Sequence, residues 1–276
     1  MLEIVKYNKI NGYILTAELF ESLETSNFED VLRAIYYSYI VNKGFRIGDF
    51  NLTSIMKLYN DVKKSLIDSV KITHVKYQDV CSVIDDISNK LSAYKTIFTT
   101  NYDLIIYWSI MSDADKYRDF FWNNNRFDVF NTKLYEVNSI PVYYLHGAIH
   151  LREDGHGNIH KVNPSNLLND IYDTNTDFPL FVSEGKSDIK MNKIRTNLYL
   201  NFCYDNFSCL KGNLVVFGHS LNLDYDGHII NAINKSNLET VAIGVFSGLS
   251  KIEKDYCMTS VLKSFGHTNK KIIYFE

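Results

Sequence analysis

Apolar residues recur at helical spacing through the first third of the chain. Leu19, Phe20 and Leu23 form one set, and Phe28, Val31, Leu32, Ile35, Tyr36 and Ile40 a second, both within residues 16–41. Ser26, followed three residues later by Glu29, has the signature of a capping box that opens the second helix. Further helical patterns cover residues 54–70 and 77–91. At residue 94 the pattern changes to short β-rich runs: 96–99, 142–145, 179–182, 214–217, 241–246 and 271–275. Between them, residues 104–111 predict a buried helix, and 192–206 and 225–235 two more. Gly155-His156-Gly157-Asn158 predicts a turn that joins a hairpin over 151–161.

Strands apolar on both faces, alternating with helices, imply a parallel sheet covered on both sides. The expected fold class is therefore α/β, as one domain over residues 1–276. Residues 1–92 form its mainly helical part and 93–276 its sheet-forming part.

Composition and charge remove several function classes. Hydrophobic residues make up 46% and charged residues 22%, which is a folded globular protein and not a disordered chain. The net charge of −3 supplies no global basic field for nucleic acid or an anionic membrane. The basic stretch at residues 186–195 carries Asp188 and fits a solvated helix face. No apolar run approaches the ~20 residues that span a bilayer, and Met1-Leu2-Glu3-Ile4 does not open a secretion signal. Cys81, Cys203, Cys209 and Cys257 are scattered without a C-x-x-C, which excludes a four-cysteine zinc ribbon and argues against a disulfide scaffold. The expectation is a cytoplasmic protein with no membrane partner, no direct nucleic-acid partner and no bound metal.

In open parallel sheets the ligand crevice lies beyond the carboxyl ends of the strands. Four strand ends here are small, polar or titratable: residues 99–103, His146-Gly147, residues 218–220, and Ser247-Gly248. Asn101 carries both a donor and an acceptor on one short side chain. His146 is a histidine, the side-chain type whose ordinary range suits proton transfer near neutrality. Each has an ordinary structural alternative. Asn101 could cap the helix at Leu104, His146 could be a satisfied core histidine, and Asp103 fits a capping or dipole role. His150, His156 and His160 cross a predicted turn without a completing Cys or carboxylate, which favours a surface hairpin over a metal site. His219 and His228 read as structural, and Trp108 as core.

Thr99-Thr100-Asn101-Tyr102-Asp103, then His146-Gly147, then Gly218-His219-Ser220-Leu221 resemble the T-Q-N-x-D, H-G and G-T-S-L motifs of the sirtuins. The nearer likeness is to sirtuin-like bacterial proteins, and it runs from about Phe20 onward. It implies a Rossmann-like, mostly parallel sheet with helices on both faces, binding NAD and breaking its nicotinamide–ribose bond. It implies Asn101 and His146 as catalytic residues. It implies Thr99, Thr100, Asp103, Gly218, Ser220 and Ser247 as cofactor-binding residues, with Gly218 and Ser220 at the phosphates and Ser247-Gly248 flanking the adenosine end. An anti-phage NAD hydrolase, working with a second copy or a defence-system partner protein, is the implied setting.

The chain departs from the sirtuin pattern twice. It lacks the four-cysteine zinc module of the deacylases, so plain hydrolysis is expected instead of deacylation. It also shows no glycine-rich pyrophosphate loop before Phe98, where Gly12, Gly44 and Gly48 are the only glycines, so the chain is expected to begin downstream of that loop. A non-catalytic binding or assembly module is the alternative expectation.

Overall fold

The structure is a computed structural model that describes residues 14–25, 28–46, 48–121, 124–135, 138–154, 157–162, 178–182 and 186–276. The expected capping box at Ser26 and the expected turn residues Gly155 and His156 lie outside the described residues. The chain is mixed α/β and divides into two compact units. One holds Met1–Val142 and His146–Gly185, the other Tyr143–Leu145 and Lys186–Glu276.

The first unit opens with helices α1 (Ile14–Ser22), α2 (Phe28–Gly44), α3 (Asp49–Thr73) and α4 (Tyr77–Leu91). Ala17 and Phe20 of α1 pack against Val31 and Ile35 of α2 and Val62 of α3. These include the positions that the helical spacing selects. Leu23, Tyr36 and Ile40 continue the same periodicity but stay exposed, because the apolar stripe is wider than the face that finds a partner. A second core joins Ile84 of α4 to Leu104, Tyr107 and Trp108 and to Ile149. Trp108 is central to it, meeting His74 and Tyr77 edge-on at 5.4 and 5.3 Å between ring centroids.

The strands up to Phe181 form two sheets. β1 (Ile97–Thr99), β2 (Tyr117–Arg118) and β3 (Ile140–Tyr144) lie in the order β1-β3-β2, with β2 parallel to β3 and Tyr117 opposite Ile140. Helix α5 (Ile105–Met111) follows β1. β4 (Gly147–Glu153) lies between β5 (Ile159–Lys161) and β6 (Phe178–Phe181), antiparallel to both. The β4–β5 connection is the expected hairpin. Asp154 closes it: its carboxylate accepts the backbone N–H and the side-chain amide of Asn158, both at 2.9 Å.

His150 is not on the surface of that hairpin. It is fully buried on β4, with its ring 4.5 Å from that of Tyr107. Beside it, Lys161 and Asp119 form a 2.8 Å ion pair with side-chain exposures of only 7% and 2%. Hairpin turn chemistry says where the chain reverses, not which strand face meets the core.

The second unit contains helices α6 (Ser187–Thr196), α7 (Leu198–Ser208), α8 (Leu223–Lys235) and α9 (Lys251–Phe265). Its sheet has the order β7-β8-β9, all parallel, from β7 (Lys211–Val216), β8 (Asn237–Gly244) and β9 (Lys271–Phe275). Residues 192–206 predict one helix, whereas the structure breaks it at Asn197. That residue is extended (φ −109°, ψ 126°), and its Oδ1 accepts the N–H groups of Tyr199 and Leu200 at 3.1 Å, so it caps α7. The apolar run at 214–217 predicts burial on both faces. The structure buries one face more than the other, leaving Val215 40% and Phe217 85% exposed.

Candidate functional site

β1 ends where the first candidate loop begins. Thr99 is buried, and its hydroxyl accepts the N–H of Asn101 at 3.1 Å, which turns the chain sharply after the strand. Thr100 is half-buried and Asn101 exposed. Asp103 has the local role that its position suggests: its Oδ1 accepts the N–H of Ile105 at 2.9 Å, in the first turn of α5. The neighbouring N–H, from Leu104, donates to Nε2 of His74 at 2.9 Å. The His74 Nδ1 lies 2.7 Å from the carbonyl of Val75, so that nitrogen carries the ring proton. The start of α5 is thus held by Asp103 and His74 together.

His146 follows β3 and immediately precedes β4, and Gly147 beside it has φ +79°. Such a backbone is costly for any residue with a Cβ, so glycine permits the sharp entry into β4. His146 is buried, and its carbonyl accepts the N–H of Val182 at 2.8 Å. The carbonyl of Val182 in turn accepts the hydroxyl of Tyr102. The carbonyl of Tyr102 takes the N–H of Ile149 at 2.9 Å. Val182 therefore ties the loop of Asn101 to the segment of His146. Neither Tyr102 nor Val182 stands out in the sequence, because the bonding atoms are mostly main-chain and carry no residue signature.

In the second unit, Gly218 and Ser220 lie exposed between the carboxyl end of β7 and α8. Gly218 has φ +65°, and a Cβ there would meet nothing within 4 Å, so the glycine serves backbone conformation and open space. Asn222 caps α8, its Oδ1 accepting the N–H of Asp224 at 2.9 Å. Ser247 and Gly248 lie exposed between the carboxyl end of β8 and α9. Since β7 and β8 are adjacent and parallel, Gly218, Ser220 and Ser247 emerge from the same edge of this sheet.

A set of titratable groups acts on and around His219 in the β7–α8 connection. Lys190 of α6 and Asp226 of α8 form a 3.4 Å ion pair. Burial lowers the pKa of His228 to about 4, Lys190 and His219 push it the same way, and Asp226 opposes them. Ser187 lies 3.2 Å from Nδ1 of His228, and its hydroxyl oxygen accepts the His228 backbone N–H at 2.6 Å. That last bond sits at the kink of α8, where Asp226 leaves helical geometry.

The model of one protein family, a domain of unknown function (DUF4917), matches residues 13–270, a span that holds every residue of both loops. The chain belongs to this family. Among curated proteins, none matches it. Across the family span, among the described residues, no group of three or more His, Cys, Asp or Glu side chains converges as a metal site, and no helix is long and apolar enough to cross a membrane.

Proposed function

We propose that this chain is a cytoplasmic, sirtuin-like, NAD-handling protein that hydrolyses the nicotinamide–ribose bond, with its strands in a Rossmann-like arrangement. The observation that carries the proposal is the shared anchor at Val182, which holds the Asn101 loop and the His146 segment together. Hydrolysis joins the oxygen of water to the ribose carbon, and the breaking bond leaves its electron pair on nicotinamide. The proton of the water goes to a base.

In this reading His146 is that base. Asn101 orients the water or a ribose hydroxyl, and its side chain suits that role, being exposed and making no hydrogen bond to another described residue. Thr99, Thr100 and Asp103 shape the loop around it. Gly218 and Ser220 offer main-chain groups to the phosphates at the start of α8, and Ser247 flanks the adenosine end. The open space around Gly218 leaves room for that approach. An anti-phage setting, with a second copy or a defence-system protein as partner, follows from the sirtuin likeness alone.

One observation favours a second reading, a binding module without catalysis. His146 is only 3% exposed, whereas a base must reach its water. Calorimetric titration with NAD, combined with chromatography of released nicotinamide, separates the two. Binding with release, lost in Asn101→Ala and His146→Ala, supports the hydrolase. Binding without release gives the binding module, and absence of binding removes both.

A further inference from the structure

The turn from β7 to α8 contains a second left-handed residue besides Gly218. Leu221 has φ +48°, a conformation that a branched side chain resists. Its side chain is 1% exposed, so the core fixes Leu221 in place while its backbone is strained. The bond that holds the strained backbone comes from two residues upstream: the N–H of Leu221 donates to Nδ1 of His219 at 3.0 Å. Ser, Asn and Asp commonly close turns through this i to i+2 contact. A histidine does so only while Nδ1 is unprotonated, which places the proton of the neutral ring on Nε2. Once the ring is protonated, both nitrogens are donors and the acceptor for Leu221 is gone.

We propose that His219 is a positioning residue that latches the 218–221 turn when neutral and releases it when protonated, and that release weakens nucleotide binding at this edge. The proposal rests on the nucleotide reading above. The groups acting on His219 come from two helices: Lys190 of α6, and Asp226 and His228 of α8. Burial is the largest influence and keeps the ring neutral to lower pH than usual; Lys190 acts in the same direction and Asp226 against it. Simple charge attraction between an imidazolium and a phosphate predicts tighter binding in acid. The latch predicts the opposite, so the two separate by sign.

The test uses the full chain with 15N-leucine and 15N-histidine labelling, following the Leu221 amide and the His219 ring by NMR from about pH 8 downward until the His219 ring has titrated. NAD affinity is measured by calorimetry over the same range. The Leu221 amide is expected to shift together with the His219 ring, and affinity to fall roughly tenfold across that transition, the scale of one lost hydrogen bond. His219→Leu should bind roughly tenfold more weakly throughout. His219→Asn, which can make the same turn but cannot titrate, should restore binding relative to His219→Leu and flatten the pH dependence. A Leu221 amide indifferent to pH, or an affinity that rises in acid, overturns the latch. If the amide follows His219 but NAD binds at no pH, the latch stands and the nucleotide reading falls.

Discussion

The two candidate loop sets are held in opposite ways. The Asn101 and His146 segments are bound into their unit through Val182 and through the Tyr102–Ile149 bond, beside a core of Ile84, Leu104, Trp108 and Ile149. The loops carrying Gly218, Ser220 and Ser247 stand exposed at one edge of three parallel strands. One region is cross-linked by hydrogen bonds and largely buried, with Asn101 exposed at its edge. The other is open, and depends on short side-chain-to-backbone contacts from His219 and Asn222. A seat tied by such bonds suits bond chemistry, where small displacements are costly. An open edge of main-chain groups suits the capture of phosphates.

The largest expected effect tests how well the first region is sealed from water. Asp119→Ala leaves the Lys161 ammonium buried without its carboxylate and should destabilise the fold by about 3–5 kcal/mol. Replacing both partners together, Asp119→Leu with Lys161→Met, should recover most of that loss, since neither charge is then stranded. Urea unfolding of the single and double variants measures both. A single variant as stable as the parent would show that the pair is not sealed from water.

Next in size is the effect on chemistry. Asn101→Ala removes an exposed amide and should leave the unfolding midpoint unchanged. Nicotinamide release should fall on the order of a hundredfold or more, the usual cost of losing an orienting or proton-transfer group. An equal loss of stability would mean that Asn101 is only a turn residue.

The parts legible in the sequence are those in which side-chain type and backbone geometry agree. Each predicted run at 96–99, 142–145, 179–182, 214–217 and 271–275 contains or overlaps a strand, and the helices at 77–91 and 104–111 are nearly coincident with α4 and α5. Helix α9 has no counterpart among the predicted helices: only Val261 and Phe265 are buried along it, while Ile252 and Tyr256 face outward, so its apolar period is weak. Its start carries the recognisable Ser250-x-x-Glu253 spacing. The division of strands among three sheets is not written in a local pattern, because pairing depends on long-range register. That Asn101, His146, Gly218 and Ser247 follow strand ends is legible in the sequence, but the fastening of the first two segments through Val182 is not. His219, expected to be structural, holds a strained turn, and the positive φ of Leu221 has no sequence signature.

A pH-dependent effect reaches one histidine in each unit. His150 is held well below the usual range by burial, then by Lys161 and Arg152, and His228 is lowered to about 4 chiefly by burial. The unfolded chain protonates both near the ordinary value of about 6.5. Between that value and roughly pH 4 the unfolded state therefore binds more protons than the folded one, and stability falls as pH falls. The slope is up to about 1.4 kcal/mol per pH unit for each histidine. Unfolding midpoints measured at neutral pH and in mild acid should show this loss, and His150→Phe should reduce it. A flat profile would mean that neither ring is kept neutral by the fold.

The smallest effect belongs to the open region and isolates one helix start. The hydroxyl of Ser250 caps the N–H of Glu253, and the Glu253 carboxylate accepts the Ser250 N–H at 2.8 Å. The Ser250 hydroxyl also donates to that carboxylate at 2.7 Å, and this bond first, then the Ser250 N–H, lowers the pKa of Glu253. Ser250→Ala removes half of this exchange and should cost about 1 kcal/mol, the usual scale for a lost N-cap. Ser250→Asp keeps an acceptor at the cap and should cost less. The comparison matters because the cap begins three residues after Ser247, on the same connection from β8 to α9. If the loop at Ser247 is shaped by this cap, Ser250→Ala should weaken NAD binding in proportion to its loss of helix. If binding is untouched while stability drops, Ser247 takes its conformation from the strand end at Gly244 alone.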